Sequence, residues 1–324
     1  MAEAAPPAPD PVATTPERVK PEDITAVRLR HPIRWVAAIV VLYIVVALAY
    51  SLVTNANYDW GVVWQYLFSA PVMKGLGLTL VLTVVSMLIG IVLGVILAIM
   101  RRSENPMLSG TAWVYIWLFR GTPVYVQLLF WGAIGSLYPF ITLAVPFGGP
   151  DLIHVDANTL ITPFLAAVLG LALNEAAYMA EVVRGGLLSV DEGQTEAASA
   201  LGMTSAQTLR RIVLPQAMRV IIPPTGNETI SMLKTTSLVS VLAFSDLLYA
   251  THNIAVQNYK TISLLIVASI WYLLFTSIMQ TGQFYIERYY GRGTARVQQE
   301  TLLQNIRRRM FTTSREESGT GPKA

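Results

Sequence analysis

Long apolar runs separated by short polar stretches set the pattern of this chain. Each run is close to the roughly 20 residues that an α-helix needs to cross a bilayer. The fifth run is more polar than the others. The six runs are 35–53, 76–100, 122–139, 161–183, 220–244 and 262–285. The pattern predicts an all-α integral membrane protein with about six transmembrane helices.

Composition supports a bilayer as the solvent. Hydrophobic residues make up 53% of the 324-residue chain and charged residues only 13%, against about a quarter charged in soluble domains. Residues 1–30 are rich in Pro and Ala without apolar periodicity, which predicts a disordered cytoplasmic tail. Residues 31–55 hold the first helix, 56–290 the main transmembrane domain, and 291–324 a basic cytoplasmic tail.

Basic residues predict the orientation, because Lys and Arg collect in cytoplasmic loops. They follow the second run, precede the third and occupy the long connection 185–219, whereas the connections 55–75, 141–160 and 246–260 contain few. Both termini are therefore predicted to be cytoplasmic. The basic residues near these ends are Arg28, Arg30, Arg34, Arg101, Arg102, Arg120, Arg184, Arg210, Arg211, Arg219, Arg288, Arg292 and Arg296.

Motifs for chemistry are missing from the sequence. The chain has no cysteine, and its three histidines have no spacing typical of metal ligands. No P-loop and no nucleophile motif occurs. We therefore expect no catalytic residue, metal or cofactor in this chain, and no nucleic-acid partner.

The connection 185–219 has the pattern of two short capped helices. Ser189 with Glu192, and Thr204 with Gln207, fit capping boxes at helix starts. Gly202 suits the left-handed turn after a first helix, and Pro215 is predicted to end the second. One face of the second helix is predicted to carry Ala206, Leu209, Ile212 and Val213. The result would be a rigid protrusion that docks into a partner's groove.

This segment resembles the EAA signature of ABC importer permeases. The matching residues are Glu196, Ala197, Ala198, Gly202, Ile212, Leu214 and Pro215. In that family the segment is the coupling region, which sits in a cleft of the cytoplasmic ATPase. The resemblance therefore implies that these residues couple the chain to an ATPase.

Further stretches resemble the polar amino acid (histidine and glutamine permease-like) subfamily. They are FRGTP at 119–123, the segment 177–186, GNE at 226–228 and KTTSLVS at 234–240. The similarity covers roughly 76–288. Two features depart from the subfamily: an added N-terminal helix before the usual five-helix core, and Glu175, where members often carry a small residue.

The resemblance implies the permease subunit of an ATP-driven importer of polar amino acids in a prokaryotic inner membrane. Its expected partners are an ABC ATPase dimer, a second permease subunit (identical or paralogous), an external solute-binding protein and membrane lipid. ATP and Mg would then bind in the ATPase.

Ionisable residues within membrane spans usually face a cavity or a partner side chain. At about 100° per residue, Asn174, Tyr178 and Glu181 share a face of the fourth span, and Asn227, Ser231 and Lys234 share a face of the fifth. The candidate substrate-binding set is Asn174, Glu175, Tyr178, Glu181, Asn227, Glu228, Ser231 and Lys234. These residues offer donors and acceptors for a zwitterion, or they hold helices together instead, for example through Glu181 with Arg184.

Proline and glycine positions give two further predictions about the spans. Pro223, Pro224 and Gly226 predict a kinked or interrupted fifth span, and the GxxxG of Gly90 and Gly94 predicts close helix packing. An ion-coupled secondary amino acid transporter is the main alternative function. A membrane enzyme with Glu175 or Glu181 as general base is a weaker one, because nothing nearby completes such a site.

Overall fold

The computed structural model describes residues 32–144 and 151–291, in two units divided after Tyr58. The predicted tail 1–30 and all of the predicted tail 291–324 except Gly291 lie outside the described residues. The first unit contains helix α1 (Pro32–Thr54) and a short 3-10 turn at Ala56–Tyr58. The described side chains of α1 are almost all exposed. An apolar helix of 23 residues with exposed side chains is suited to a lipid environment.

The second unit is a helical bundle with one small hairpin. Its long helices are α3, α8, α11 and α13, and shorter elements join them. In chain order the elements are α2 (Trp60–Leu67), α3 (Ala70–Arg101), α4 (Pro106–Gly121), α5 (Val124–Gly132), α6 (Ile134–Leu137), β1 (Phe140–Ala144), β2 (Asp151–Asp156), α7 (Ala157–Leu160), α8 (Pro163–Leu188), α9 (Glu192–Ala200), α10 (Ser205–Thr208), α11 (Leu214–Thr235), α12 (Leu247–Asn258) and α13 (Thr261–Tyr290). Strands β1 and β2 pair antiparallel, within the stretch predicted as a plain connection.

Helices α3 and α8 form the centre of the bundle, and glycines let them approach closely. A Cβ at Gly90 would lie 2.7 Å from Cγ of Glu175, and one at Gly94 would lie 2.5 Å from Cβ of Met179. The predicted close packing at this GxxxG is confirmed, and its partner is α8 of the same chain.

A second core joins α2, α3, α12 and α13. Val63, Leu76, Leu247 and Val267 are buried in it. Trp271 donates its indole N–H to the carbonyl of Leu67 at 2.8 Å. This bond satisfies a polar group that would otherwise be buried without a partner.

The predicted runs correspond to helices in most cases. Among the described residues, α1, α3, α8 and α13 are long and apolar enough to cross a membrane. Residues 205–242 and α12 meet at a 48° bend and form a further crossing if they are counted as one broken span. The prediction of one continuous helix over 122–139 is wrong, because α5 covers only Val124–Gly132 and the separate short helix α6 follows at Ile134–Leu137.

The fifth run differs from its prediction in where it is irregular. Pro223 and Pro224 lie inside α11, which continues through them without interruption. The break comes later, where α11 passes into a 3-10 segment at Thr236–Leu242 and Ala243 adopts a left-handed conformation with φ of 54°.

An ion pair ties α2 to the turn before α13. Lys260 Nζ lies 2.8 Å from Asp59 Oδ2. The hydrogen bond from Lys260 lowers the pKa of Asp59 below its ordinary value of 3.8. A carboxylate whose pKa is lowered by folding stabilises the folded state at pH values above its ordinary pKa. This stabilisation is lost as the pH falls through the lowered pKa, so the ion pair is fully formed at neutral pH.

Candidate transport site and coupling segment

A cavity of about 450 Å³ lies where the α4–α5 break meets α8 and α11. Its wall combines three acidic or basic groups with amide, hydroxyl and apolar side chains. The lining residues are Arg120, Gly121, Thr122, Pro123, Val124, Leu171, Asn174, Glu175, Tyr178, Glu228, Ser231, Met232 and Thr235.

Two amide side chains hold the α4–α5 break in place. The Phe119 carbonyl accepts hydrogen bonds from Asn174 Nδ2 at 2.9 Å and from Gln127 Nε2 at 3.0 Å. Gln127 Nε2 also donates to the backbone carbonyl of Thr122 at 3.1 Å and to its hydroxyl at 2.7 Å. These bonds satisfy carbonyls that the end of a helix leaves without partners. These hydrogen bonds also hold the backbone in place next to Arg120.

Glu175 is the most deeply buried acidic group of this cavity. Its residue is 5% exposed, and its Oε1 atom has no hydrogen-bond partner among the described residues. Glu228 lines the same cavity from α11. A buried carboxylate needs a cation or a donor to offset its lost hydration. The cavity can therefore supply acceptors to a positively charged ligand.

The structure brings together five of the eight predicted substrate residues. Asn174, Glu175, Tyr178, Glu228 and Ser231 all line the 450 Å³ cavity. Their role in binding a substrate stays a prediction.

The other three predicted residues lie elsewhere. Glu181 pairs with Arg184 at 2.6 Å, as the alternative interpretation expected. Asn227 Nδ2 donates to Glu287 of α13 at 3.3 Å. Lys234 is exposed and does not line the 450 Å³ cavity.

A second cavity, of about 750 Å³, lies toward the end of α8 that leads into the EAA segment. It is lined by Arg101, Arg102, Trp113, Ile116, Trp117, Arg120, Gly121, Tyr178, Glu181, Arg184 and Leu188. Four arginines face one acidic residue, so its wall carries a net positive charge. Arg120, Gly121 and Tyr178 belong to both cavities.

The EAA segment turns sharply at Gly202, as predicted. Gly202 has φ of 74° and donates its N–H to the Ser199 carbonyl at 2.9 Å, and Met203 donates to the Ala198 carbonyl at 3.1 Å. These two bonds form a Schellman motif. The capping box of Thr204 with Gln207 is confirmed. Leu201 at this corner is 82% exposed.

Two details of the predicted segment are wrong. Asp191, rather than Ser189, caps α9, and the hydroxyl of Ser189 donates to the Gly186 carbonyl at the end of α8. The second helix does not end at Pro215. A wide π turn at Leu209–Val213 joins α10 to α11, and Pro215 lies in the first turn of α11.

The predicted apolar face of the second helix is also wrong. Thr208 is its buried residue, Ala206 and Leu209 are exposed, and Ile212 and Val213 are half-buried. The EAA residues lie on both arms of the turn: Glu196, Ala197 and Ala198 on α9, Gly202 at the corner, Ile212 in the π turn, and Leu214 and Pro215 at the start of α11.

Sequence reasoning missed Arg120, Met232 and Thr235 as cavity residues. Arg120 was visible only as part of the FRGTP stretch. Met232 and Thr235 follow Glu228 at helical spacings of four and seven, which was the available signal. Leu201 was not singled out because a lone leucine beside a glycine carries no chemical signal.

Comparison with known proteins agrees with this fold. Residues 90–291 match the family described as "Binding-protein-dependent transport system inner membrane component". The chain is 48% identical over 278 residues to the arginine transport system permease protein ArgU of Corynebacterium glutamicum, covering 86% of each chain. It is 31% identical to the glutamine transport system permease protein GlnP of Escherichia coli K12, covering 69% of this chain and 93% of the relative.

Solved structures give the same result. The crystal structure of an amino acid ABC transporter with histidines contains a chain that is 34% identical, with a TM-score of 0.57. The match covers 68% of this chain and 94% of that one. The MetNI methionine ABC transporter, at 20% identity and a TM-score of 0.52, shares the fold. These relatives are ABC transport system proteins, which favours an ATP-driven importer over an ion-coupled carrier. The chain belongs to the family of binding-protein-dependent transport system inner membrane components and is a multi-pass permease subunit of the amino acid ABC importer type.

Proposed function

We propose that this permease carries a cationic amino acid of the arginine type. The observation that carries the proposal is Glu175, a buried carboxylate in the 450 Å³ cavity whose Oε1 atom has no hydrogen-bond partner among the described residues. A guanidinium or ammonium group would offset the cost of burying that charge, and a guanidinium can bind a carboxylate through two parallel hydrogen bonds.

The rest of the cavity suits the other end of such a ligand. Asn174, Ser231 and Thr235 offer amide and hydroxyl groups to an α-carboxylate. Glu228 supplies a second acceptor for an ammonium group. Two of the relatives are named as transport system permeases for arginine and for octopine, which supports a strongly basic or arginine-derived substrate.

The EAA segment is proposed to couple this site to a separate ATPase. Glu196, Ala197, Ala198, Gly202, Ile212, Leu214 and Pro215 surround an exposed, capped corner that is suited to a groove on a partner. The ATPase would bind ATP and Mg, and this chain would itself catalyse no reaction. A second permease, an external solute-binding protein and membrane lipid complete the proposed assembly, with both termini in the cytoplasm.

The direct test is uptake by the whole complex in liposomes. The chain, its partner ATPase and the solute-binding protein are reconstituted together, and ATP-dependent uptake is measured across a panel of amino acids. Uptake of arginine above neutral amino acids supports the proposal. Uptake of neutral amino acids alone contradicts it.

Glu175→Gln gives the matching prediction for specificity. The amide keeps the size of the side chain but removes the negative charge, so arginine uptake is expected to fall about tenfold relative to glutamine uptake, or about 1.4 kcal/mol of discrimination. Glu104→Gln removes an exposed acid between α3 and α4 and serves as the control. An unchanged arginine-to-glutamine ratio in Glu175→Gln removes Glu175 from substrate selection.

A further inference from the structure

Arg120 and Tyr178 lie between the 450 Å³ cavity and the 750 Å³ cavity. Together with Gly121 they are the residues that line both the 450 Å³ cavity and the 750 Å³ cavity. The Arg120 guanidinium carbon lies 5.3 Å from the centroid of the Tyr178 ring, within the distance of a cation–π contact. The stacked pair therefore forms part of the wall that separates the cavities.

The backbone next to Arg120 is held by two hydrogen bonds, so Arg120 can change position through its side chain. Asn174 and Gln127 both donate to the carbonyl of Phe119, the residue before Arg120. Arg120 itself is exposed, and no ion pair with it is found among the described residues. An arginine side chain has many rotamers and loses considerable freedom when it is held in one. A guanidinium held by one ring contact is thus free to change position on a fixed support.

Acidic groups are placed on both sides of this guanidinium. Glu228 belongs to the smaller cavity and Glu181 to the larger one, and Arg120 lies within electrostatic range of both. Glu181 is paired with Arg184 through Oε2, and its Oε1 takes no part in that pair, so the guanidinium has an attractive partner in either direction.

We propose that Arg120, stacked on Tyr178, is a charged gate between the transport cavity and the cavity next to the EAA segment. When stacked, it places a positive charge across the path. A cationic substrate in the smaller cavity competes with Arg120 for Glu228, and the freed guanidinium moves toward Glu181. This inference rests on the proposed function in one respect, namely that the molecule crossing the gate is a cation.

The larger cavity strengthens the barrier against return. Its wall carries Arg101, Arg102 and Arg184 in addition to Arg120, with Glu181 as the single acidic residue. A pocket lined mainly by one sign of charge lowers the local concentration of ions of that sign. A cationic amino acid released on this side would be repelled from the gate, so the charge pattern favours one direction of movement.

Passive leak from loaded liposomes tests the gate. Liposomes holding the complete complex are filled with radiolabelled arginine or glutamine, and efflux is followed without ATP and without solute-binding protein. Arg120→Gln is expected to raise arginine leak about tenfold, which corresponds to about 1.4 kcal/mol in the barrier. Glutamine leak is expected to rise less, because a neutral solute does not experience the lost charge.

Several variants separate the gate from a general defect. Arg120→Lys restores the charge and is expected to bring the leak back near wild type. Tyr178→Leu removes the ring and is expected to leak, whereas Tyr178→Phe keeps the ring face and holds the leak low. Arg288→Gln removes an exposed arginine that lines neither cavity, and its leak should equal that of wild type.

Two results would overturn the gate. One is an Arg120→Gln leak equal to wild type for both solutes. The other is an equal rise for arginine and glutamine, which indicates a steric plug without a role for charge. Because leak is measured without ATP, the gate is tested even if the uptake panel shows that arginine is not the substrate, and the two failures are distinguishable.

Discussion

The substitution Gly202→Pro is expected to abolish ATP-driven uptake while the protein remains folded in the membrane. Gly202 has φ of 74° and uses its N–H to bond the Ser199 carbonyl. Proline fixes φ near −65° and has no N–H, so neither feature survives. The turn between α9 and α10 must then rearrange, and the exposed corner that we propose as the ATPase contact changes shape.

Ser205→Pro is the matched control for this substitution. Ser205 is the first residue of α10, where proline is well tolerated, and its predecessor Thr204 has an extended backbone with ψ of 156°, which suits a residue before proline. It is expected to retain uptake. Substrate-stimulated ATP hydrolysis and uptake are measured for both variants in liposomes. Normal hydrolysis and uptake by Gly202→Pro would contradict the coupling role of this corner.

Gly94→Ala is expected to cause the largest loss of folding stability. A Cβ at this position would lie 2.5 Å from Cβ of Met179 and 3.0 Å from the backbone nitrogen of Ala180. Part of the conflict is with α8 backbone, so a change of side-chain rotamer does not relieve it and α3 must move away from α8. Overpacking of this kind costs about 1–3 kcal/mol and sometimes more, in the helix pair at the centre of the bundle.

Gly77→Ala provides the comparison on the same helix. A Cβ at Gly77 meets no atom within 4 Å, and alanine has a higher helix propensity than glycine. The yield of monodisperse protein and its thermal unfolding temperature in detergent are expected to fall for Gly94→Ala and to hold or rise for Gly77→Ala. Equal stability of the two variants would show that α3 and α8 are less tightly packed than the structure indicates.

Apolar runs predicted the regular helices well but not the broken ones. The runs 76–100 and 262–285 lie inside α3 and α13, and the run 161–183 begins two residues before α8. An apolar run indicates that its residues lie in lipid or in the protein core. It does not indicate whether they form one continuous helix. The run 122–139 is interrupted at Ala133, between α5 and α6. It begins at a second break, between α4 and α5, and the long-range bond from Asn174 to Phe119 that supports this break has no local signal.

At Pro215 the opposite error occurred: the sequence predicted the end of a helix where the structure has the first turn of one. Its lack of an N–H normally ends a helix or kinks it, and a stop was therefore predicted. The π turn immediately before it shifts the hydrogen-bond register and accommodates the ring. That adjustment depends on how α10 and α11 pack against the bundle, which the sequence of the segment alone does not specify.

The candidate site was predicted in part for a geometric reason. Helical spacing predicted that Asn174 and Tyr178 share a face of α8, and both line the cavity. On α11 it grouped Ser231 with Asn227 and Lys234, whereas the cavity is lined by Ser231 and Glu228. Spacing on one helix does not tell which neighbour that face meets. Asn227 therefore turned out to contact Glu287 of α13, and Arg120 entered the site from α4 without being predicted.

The unbroken connection through the π turn has a mechanical consequence. From Ser205, beside the Gly202 corner, to Ser231 at the cavity wall, the chain is helical throughout. The span of 26 residues amounts to a lever arm of about 39 Å, for which a tilt of about 10° displaces one end by about 7 Å. A partner that displaces the Gly202 corner would therefore move the cavity wall at Ser231 together with it, because no non-helical segment lies between Ser205 and Ser231. Because consecutive helical residues are about 100° apart, one residue inserted into the π turn would also rotate Ser231 by about 100° away from the cavity relative to the corner.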